Sequence, residues 1–208
     1  MSLLQHEALV AALGSKDLDE RLVIIPLLDQ EQVGEASIDL RLGTEFLLLR
    51  RTLRAGIDVG DPDYQAQIDD LYDRIVVPIG QGLWLHPQQF ALGATLEFIR
   101  LPPTLGAYVL SRSSWGRLGL LVATAVMVQP GFAGCLTLEL VNEGDSPVQL
   151  YPGLTIAQLA VHSLVGKTSF VKQNPNYRAP TGPQAARLSK EQLALEKIRA
   201  LGASLDSI

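Results

Sequence analysis

The sequence predicts a mainly β protein, a sandwich or barrel of short strands with a few short helices and one helix near the C-terminus. Three observations predict it. Between residues 75 and 162, short apolar runs are punctuated by Gly and Pro. Within 136–141, Leu136, Leu138 and Leu140 alternate with Thr137, Glu139 and Val141, which places one face of a strand in the core. The chain has 208 residues, 47% hydrophobic and 19% charged, enough for one domain with an ample core.

Residues 3–13 have helical spacing, with Ser2 as the expected N-cap and Gly14 as the stop. An apolar stretch follows at 22–28, then expected strands at 37–42 and 46–49. Residues 58–74 are acidic and poor in β-branched types, and read as a loop or short helix inserted in the sheet. Further strands are expected at 75–79, 82–85, 90–96, 107–110, 136–141, 148–150 and 155–162. Past Gly166 the composition turns polar and rich in Pro and Asn, so 167–208 reads as a tail. Within it, Ser189-Lys-Glu-Gln192 has the pattern of a capping box. It opens a helix carrying Leu193, Leu195, Ile198 and Leu201 that is expected to end near Gly202.

A net charge of −5 argues against a nucleic-acid polymer as partner, where a basic footprint is expected. No apolar run reaches membrane length. The N-terminus has no basic region before an apolar stretch, so no secretory leader is expected there. With Cys135 alone no internal disulfide can form, which fits a reducing cytoplasm, and Cys135 reads as a small core residue.

Chemistry concentrates in Ser111-Arg-Ser-Ser-Trp-Gly-Arg117. Two Arg and three Ser fall in seven positions. Arg offers a planar, permanently charged fork to phosphate, and Ser adds hydroxyl donors beside it. Downstream, Glu139 stands in an apolar strand, where a carboxylate is costly unless paired or functional. Together they point to chemistry on a nucleotide. His6, His86 and His162 are dispersed, and the His-x-Glu with Pro-Cys-x-x-Cys signature of zinc nucleobase deaminases does not occur. Phosphate-loop and dinucleotide glycine motifs do not occur either.

The same residues carry a resemblance. Arg112-Ser-Ser-x-x-Arg117-Leu-Gly-Leu, Pro130-Gly-Phe-x-Gly and Leu138-Glu-Leu resemble the central signature of the dCTP deaminase family, of the dUTPase-like superfamily. So do Ala36-Ser-Ile-Asp-Leu-Arg-Leu-Gly43, Leu85-His-Pro87, Ala91-Leu-Gly-Ala-Thr-Leu-Glu97, Leu101-Pro-Pro, Tyr151-Pro-Gly-Leu and Tyr177-Arg…Thr181-Gly-Pro…Arg187-Leu. They run in family order from about residue 36 to 188.

The resemblance implies a distorted β-barrel or jelly roll, assembled as a homotrimer, that deaminates dCTP to dUTP and ammonia without a protein-bound zinc. Mg²⁺ would ride on the substrate triphosphate. Glu139, Ser113, Arg117 and Ala125 are then the catalytic group. Glu139 moves protons, while Ser113 and Arg117 orient it and the water. Arg112, Ser114, Trp115, Gly116, Thr124, Gln129, Phe132, Thr137, Leu138, Phe170, Asn176, Tyr177 and Pro180 are implied to bind the nucleotide. Phe132 offers a flat face to deoxyribose, and Thr124-Ala125 offers backbone groups to the base.

Three positions depart from the common pattern: Gln129 where Asp is usual, Asn176 for Lys, and Pro180 for Gln. Two rivals stay open beside deamination to dUTP; Gln129 counts against the first, and the three departures feed the second. One is dUTPase activity, alone or combined with deamination to give dUMP. The other is a nucleotide-binding regulator with impaired catalysis.

Overall fold

A computed structural model describes residues 2–50, 56–123, 127–165 and 179–205, with side chains up to Leu201. The chain divides into two compact units, Met1–Leu48 with Arg74–Gln184, and Leu49–Asp73 with Ala185–Ile208.

The first unit is built on two antiparallel sheets. One has the order β1 (Ser2–Leu3), β13 (Thr155–Ser163), β8 (Leu105–Ser111), β10 (Met127–Val128), with β3 (Ile38–Arg41) also on β13. The other runs β5 (Tyr72–Val76), β4 (Glu45–Leu49), β7 (Phe90–Arg100), β11 (Ala133–Asn142), β9 (Leu120–Val122), with β2 (Val23–Ile25) also on β7. β6 (Leu83–Leu85) and β12 (Val148–Leu150) form a separate pair. Both sheets are open paths, and their inward residues merge into one apolar cluster. Ile38, Leu40, Val109, Leu159 and Val161 come from the first sheet, Phe46, Ile99, Leu138 and Leu140 from the second. The mainly β class is therefore as expected, in the form of two sheets sharing a core.

The alternation expected in β11 is present: Leu136, Leu138 and Leu140 are buried, and Thr137, Glu139 and Val141 are half-buried. Cys135 is buried, as a small core residue should be. Burial, then the nearby Glu97 and Glu45 carboxylates, push its thiol pKa up.

Several elements differ from expectation. Ser2 does not cap a helix. It lies in β1, paired with Ser163, and their hydroxyls are 2.7 Å apart. Helix α1 (His6–Gly14) starts behind Gln5 instead. The edge of β13 offered backbone partners to Ser2 and Leu3 that a helix start would have left to water. β7 continues past 96 to Arg100, and Glu97 within it is fully buried. Its charge is met inside the fold. Oε1 accepts from Gln32 Nε2 at 3.0 Å and Oε2 from the Arg41 backbone N–H at 2.8 Å. Arg41 Nη1 lies 3.4 Å from Oε1, and its Nη2 pairs with Asp29 at 2.7 Å. Burial raises the Glu97 pKa, and the Arg41 N–H, the Arg41 charge and Gln32 offset part of that rise.

The second unit holds α2 (Tyr64–Asp69) and α4 (Ser189–Leu205). Tyr64 and Ile68 are buried on α2. Gln192 Nε2 donates to the Asp61 carbonyl at 3.3 Å, and Gln65 Nε2 donates to the Ala186 carbonyl at 3.3 Å. α4 opens at Ser189, where the capping pattern predicts a helix start, but runs through Gly202 to Leu205. A helical Gly costs about 1 kcal/mol relative to Ala, which weakens a helix without ending it. Among the described residues, no helix is long and apolar enough to cross a membrane.

Candidate active site

The Arg- and Ser-rich segment leaves the first sheet at the end of β8. Ser111 closes the strand, Arg112 is extended, and α3 (Ser113–Gly116) makes a single turn. The Arg117 N–H donates to the Ser113 carbonyl at 3.0 Å, and the Leu118 N–H to the Trp115 carbonyl at 2.9 Å. The turn is pinned by Trp115, which packs on the core and donates its indole N–H to the Thr155 carbonyl at 2.8 Å. Ser113, Ser114, Gly116 and Arg117 remain exposed. One apolar anchor thus holds a polar turn open to solvent.

Beside it lies a cleft of about 460 Å³ lined by Asp39, Arg112, Ser114, Trp115, Leu118, Leu154 and Thr155. Arg112 Nη1 donates to Asp39 Oδ2 at 2.6 Å, and Asp39 Oδ1 accepts from Gln158 Nε2 at 3.0 Å. The structure therefore brings Arg112, Ser114 and Trp115 together, whereas Ser113, Arg117 and Glu139 do not line this cleft. Asp39, Leu154, Thr155 and Gln158 escaped the sequence reading as site residues. Asp39 did carry a signal, as a carboxylate between Ile38 and Leu40 in an apolar strand.

Glu139 sits on β11 of the second sheet, opposite Leu92 of β7, and its carbonyl accepts the Ala123 N–H at 2.8 Å. Its side chain is half-buried on the face shared with Thr137. Leu138 is fully buried, so only its backbone could meet a ligand. The end of the described tail lies along this same strand. The Cys135 N–H donates to the Pro180 carbonyl at 2.6 Å, and the Gln184 N–H donates to Thr137 Oγ1 at 3.1 Å. Gly134, at φ +149, makes this approach possible: a Cβ there would stand 2.5 Å from Pro180 Cδ. Pro180 and Thr137, both named from sequence, thus each take part in the contact between β11 and this segment, Pro180 at Cys135 and Thr137 at Gln184.

Gln129 and Phe132 flank a turn in which the Phe132 N–H returns to the Gln129 carbonyl at 3.1 Å, with Gly131 at φ +76. Pro then Gly at the central positions is what such a turn requires. Gln129 is exposed, and Phe132 is half-buried against the core. Thr124, Ala125, Phe170, Asn176 and Tyr177 lie outside the described residues. Among the described residues, no three His, Cys, Asp or Glu side chains gather in a way that could hold a metal ion.

Fold and site define a two-sheet β protein with an arginine-bearing cleft and a strand-borne carboxylate. Residues 10–164 match the family model described as dCTP deaminase-like. A dCTP deaminase of Natronomonas pharaonis is 42% identical over 181 residues, 84% of this chain and 91% of that protein. The crystal structure of 2'-deoxycytidine 5'-triphosphate deaminase from Agrobacterium tumefaciens shares the fold, with a TM-score of 0.57 and 23% identity over 76% of this chain. This chain spans 47% of that one. The native EIAV dUTPase matches with a TM-score of 0.38 and 17% identity, over 65% of this chain and 99% of that one. The chain belongs to the dCTP deaminase-like family, and by that membership it is a hydrolytic deaminase.

Proposed function

We propose that this protein hydrolyses dCTP to dUTP and ammonia, as a homotrimer in the cytoplasm. Glu139 takes a proton from the water that attacks C4 of cytosine. It then returns protons to N3 and to the leaving amino group, so that water adds and ammonia departs in balance. Ser113 and Arg117 orient the carboxylate and the water. Arg112 and Ser114 receive the triphosphate, as a guanidinium beside a hydroxyl suits a polyanion. Phe132 stacks on deoxyribose, and Gln129 hydrogen-bonds the sugar hydroxyl. Thr124 and Ala125 read the base through backbone groups. Mg²⁺ accompanies the substrate on its phosphate oxygens and needs few protein ligands.

Above all, the reading rests on the position of Glu139 within the family match over 10–164. It is a half-buried carboxylate on a strand whose other face is core. A solvated carboxylate would be a poor base, and a fully buried one could not meet a substrate. Formation of dUMP would call for a carboxylate where Gln129 stands, which favours dUTP as the product.

Incubation with dCTP and Mg²⁺, followed by chromatographic separation of dCTP, dUTP and dUMP, tests the proposal. Accumulation of dUTP is expected. Direct appearance of dUMP would shift the assignment to the bifunctional enzyme. Unchanged dCTP with measurable nucleotide binding would leave a regulator.

A further inference from the structure

Strand β3 carries a carboxylate to which the deamination scheme gives no task. β3 pairs with β13 along one side. Its other side makes a single bridge, from Ile38 to Val33. Beyond that bridge, side chains replace a neighbouring strand. The Asp39 carbonyl accepts from Gln32 Nε2 at 2.8 Å, and the Arg41 N–H donates to Glu97 Oε2 at 2.8 Å. Gln32 is 2% exposed and Glu97 0%, so buried groups pin the edge of β3 that faces away from β13. That much order on a sheet edge fixes where Asp39 points.

Asp39 points at Arg112. The contact is end-on: Nη1 alone donates to Oδ2, at 2.6 Å. The carboxylate is held from behind by Gln158 Nε2 at 3.0 Å, from the residue directly opposite Asp39 in the β13 register. A bidentate pair would consume the guanidinium fork. An end-on pair fixes its position and leaves Nη2 and Nε donors for another anion. Arg112, Asp39 and Ser114 share the wall of one cleft.

We infer that Asp39 is a positioning residue: with Gln158 behind it, it holds the Arg112 guanidinium in the cleft, ready for the phosphate chain of the nucleotide. The inference rests on Arg112 being a phosphate contact. Asp39 touches no substrate atom in this scheme; it removes rotamer freedom from the group that does. The opposite role, an internal anion competing with phosphate for Arg112, predicts the opposite sign and can be told apart.

The test is a double-mutant cycle read by calorimetric titration with inorganic tripolyphosphate, alongside dCTP turnover. Asp39→Asn keeps the shape and the Gln158 contact but removes the charge. In the otherwise wild-type protein it should weaken tripolyphosphate binding about 10-fold and raise KM for dCTP similarly, with kcat within about 3-fold, a coupling usual for contacting charged groups. In an Arg112→Ala background the same substitution should change binding less than about 2-fold. Asp39→Glu should recover part of the loss. Equal losses in both backgrounds, no loss in either, or tighter binding would each overturn the inference. If Asp39→Asn does not fold, Gln158→Leu replaces it in the same cycle. Its expected effect is a loss of roughly 3-fold that vanishes with Arg112→Ala, and the same outcomes overturn the inference. A cycle that shows this coupling in tripolyphosphate binding, with wild-type protein that leaves dCTP unchanged, would refute the deamination reading and not the role of Asp39. Wild-type protein that binds no tripolyphosphate would refute the role of Asp39.

Discussion

Replacing Glu97 by Gln changes a few atoms, yet the structure gives it a large expected effect. Oε1 faces two donors, Gln32 Nε2 at 3.0 Å and Arg41 Nη1 at 3.4 Å, and Oε2 faces a third, the Arg41 N–H at 2.8 Å. A glutamine amide has one acceptor and one donor group. If its oxygen serves the Arg41 N–H, its NH₂ confronts the donors of Gln32 and Arg41. At least one buried donor is then unpaired, which costs about 1–3 kcal/mol. The Arg41 guanidinium also loses a counter-charge and keeps Asp29, at 2.7 Å. We expect a total loss of about 2–4 kcal/mol at pH 7, or roughly 4–16 °C in Tm for a protein of this size. Glu97→Ala should cost more, about 3–5 kcal/mol, because it removes the acceptor from the Gln32 and Arg41 donors together, leaves Arg41 with Asp29 alone, and adds a cavity. The pH dependence has a definite sign. Burial raises the folded-state pKa of Glu97 above 4.5, so the folded state holds its proton to higher pH than the unfolded chain. This group's contribution to stability therefore falls as pH rises from the ordinary carboxylate range through the raised pKa, and the deficit of Glu97→Gln should shrink over that range. Denaturant unfolding of both proteins at one fixed concentration, across pH 4 to 8, measures this. A Glu97→Gln protein within about 0.5 kcal/mol of wild type at every pH would refute the buried network as described.

Two further outcomes follow from the strand that bears the candidate base and from the turn that leads into it. Gly134→Ala places a Cβ 2.5 Å from Pro180 Cδ at φ +149, so it should release residues 179–184 from β11. Faster limited proteolysis there, with a Tm loss of a few degrees, is expected; unchanged cleavage would mean the segment is held by other contacts. Gln129→Asp should preserve deamination and give some dUMP, measured by the same chromatography. Loss of all nucleotide binding would show that Gln129 has been assigned the wrong task.

Much of this was legible in the chain because local periodicity carries it. β11 reads correctly because Leu136, Leu138 and Leu140 leave Thr137 and Glu139 no choice of face. The missed parts depend on partners distant in sequence. β7 extends beyond the expected 90–96 and carries a buried Glu97 whose partners, Gln32 and Arg41, lie more than fifty residues upstream. Ser2 joins a strand because Ser163 lies beside it in space. α3, with four residues, and β10, with two, are too short to show a period. The site divides in the same way. The Arg112–Arg117 segment and Glu139 announce themselves by composition and by a misplaced charge. Asp39 looks like a polar residue on an edge strand until the fold sets it 2.6 Å from Arg112.

The central claim is that Glu139 is the proton-transfer group of a deaminase. Gln has nearly the shape of Glu and still hydrogen-bonds, so Glu139→Gln should keep the fold and bind nucleotide. It cannot accept the proton of water. Turnover of dCTP, measured together with the thermal midpoint, should fall by at least ~10²-fold while the midpoint stays within a few degrees of wild type. A well-folded Glu139→Gln protein with wild-type turnover would contradict the account and remove Glu139 from the chemistry.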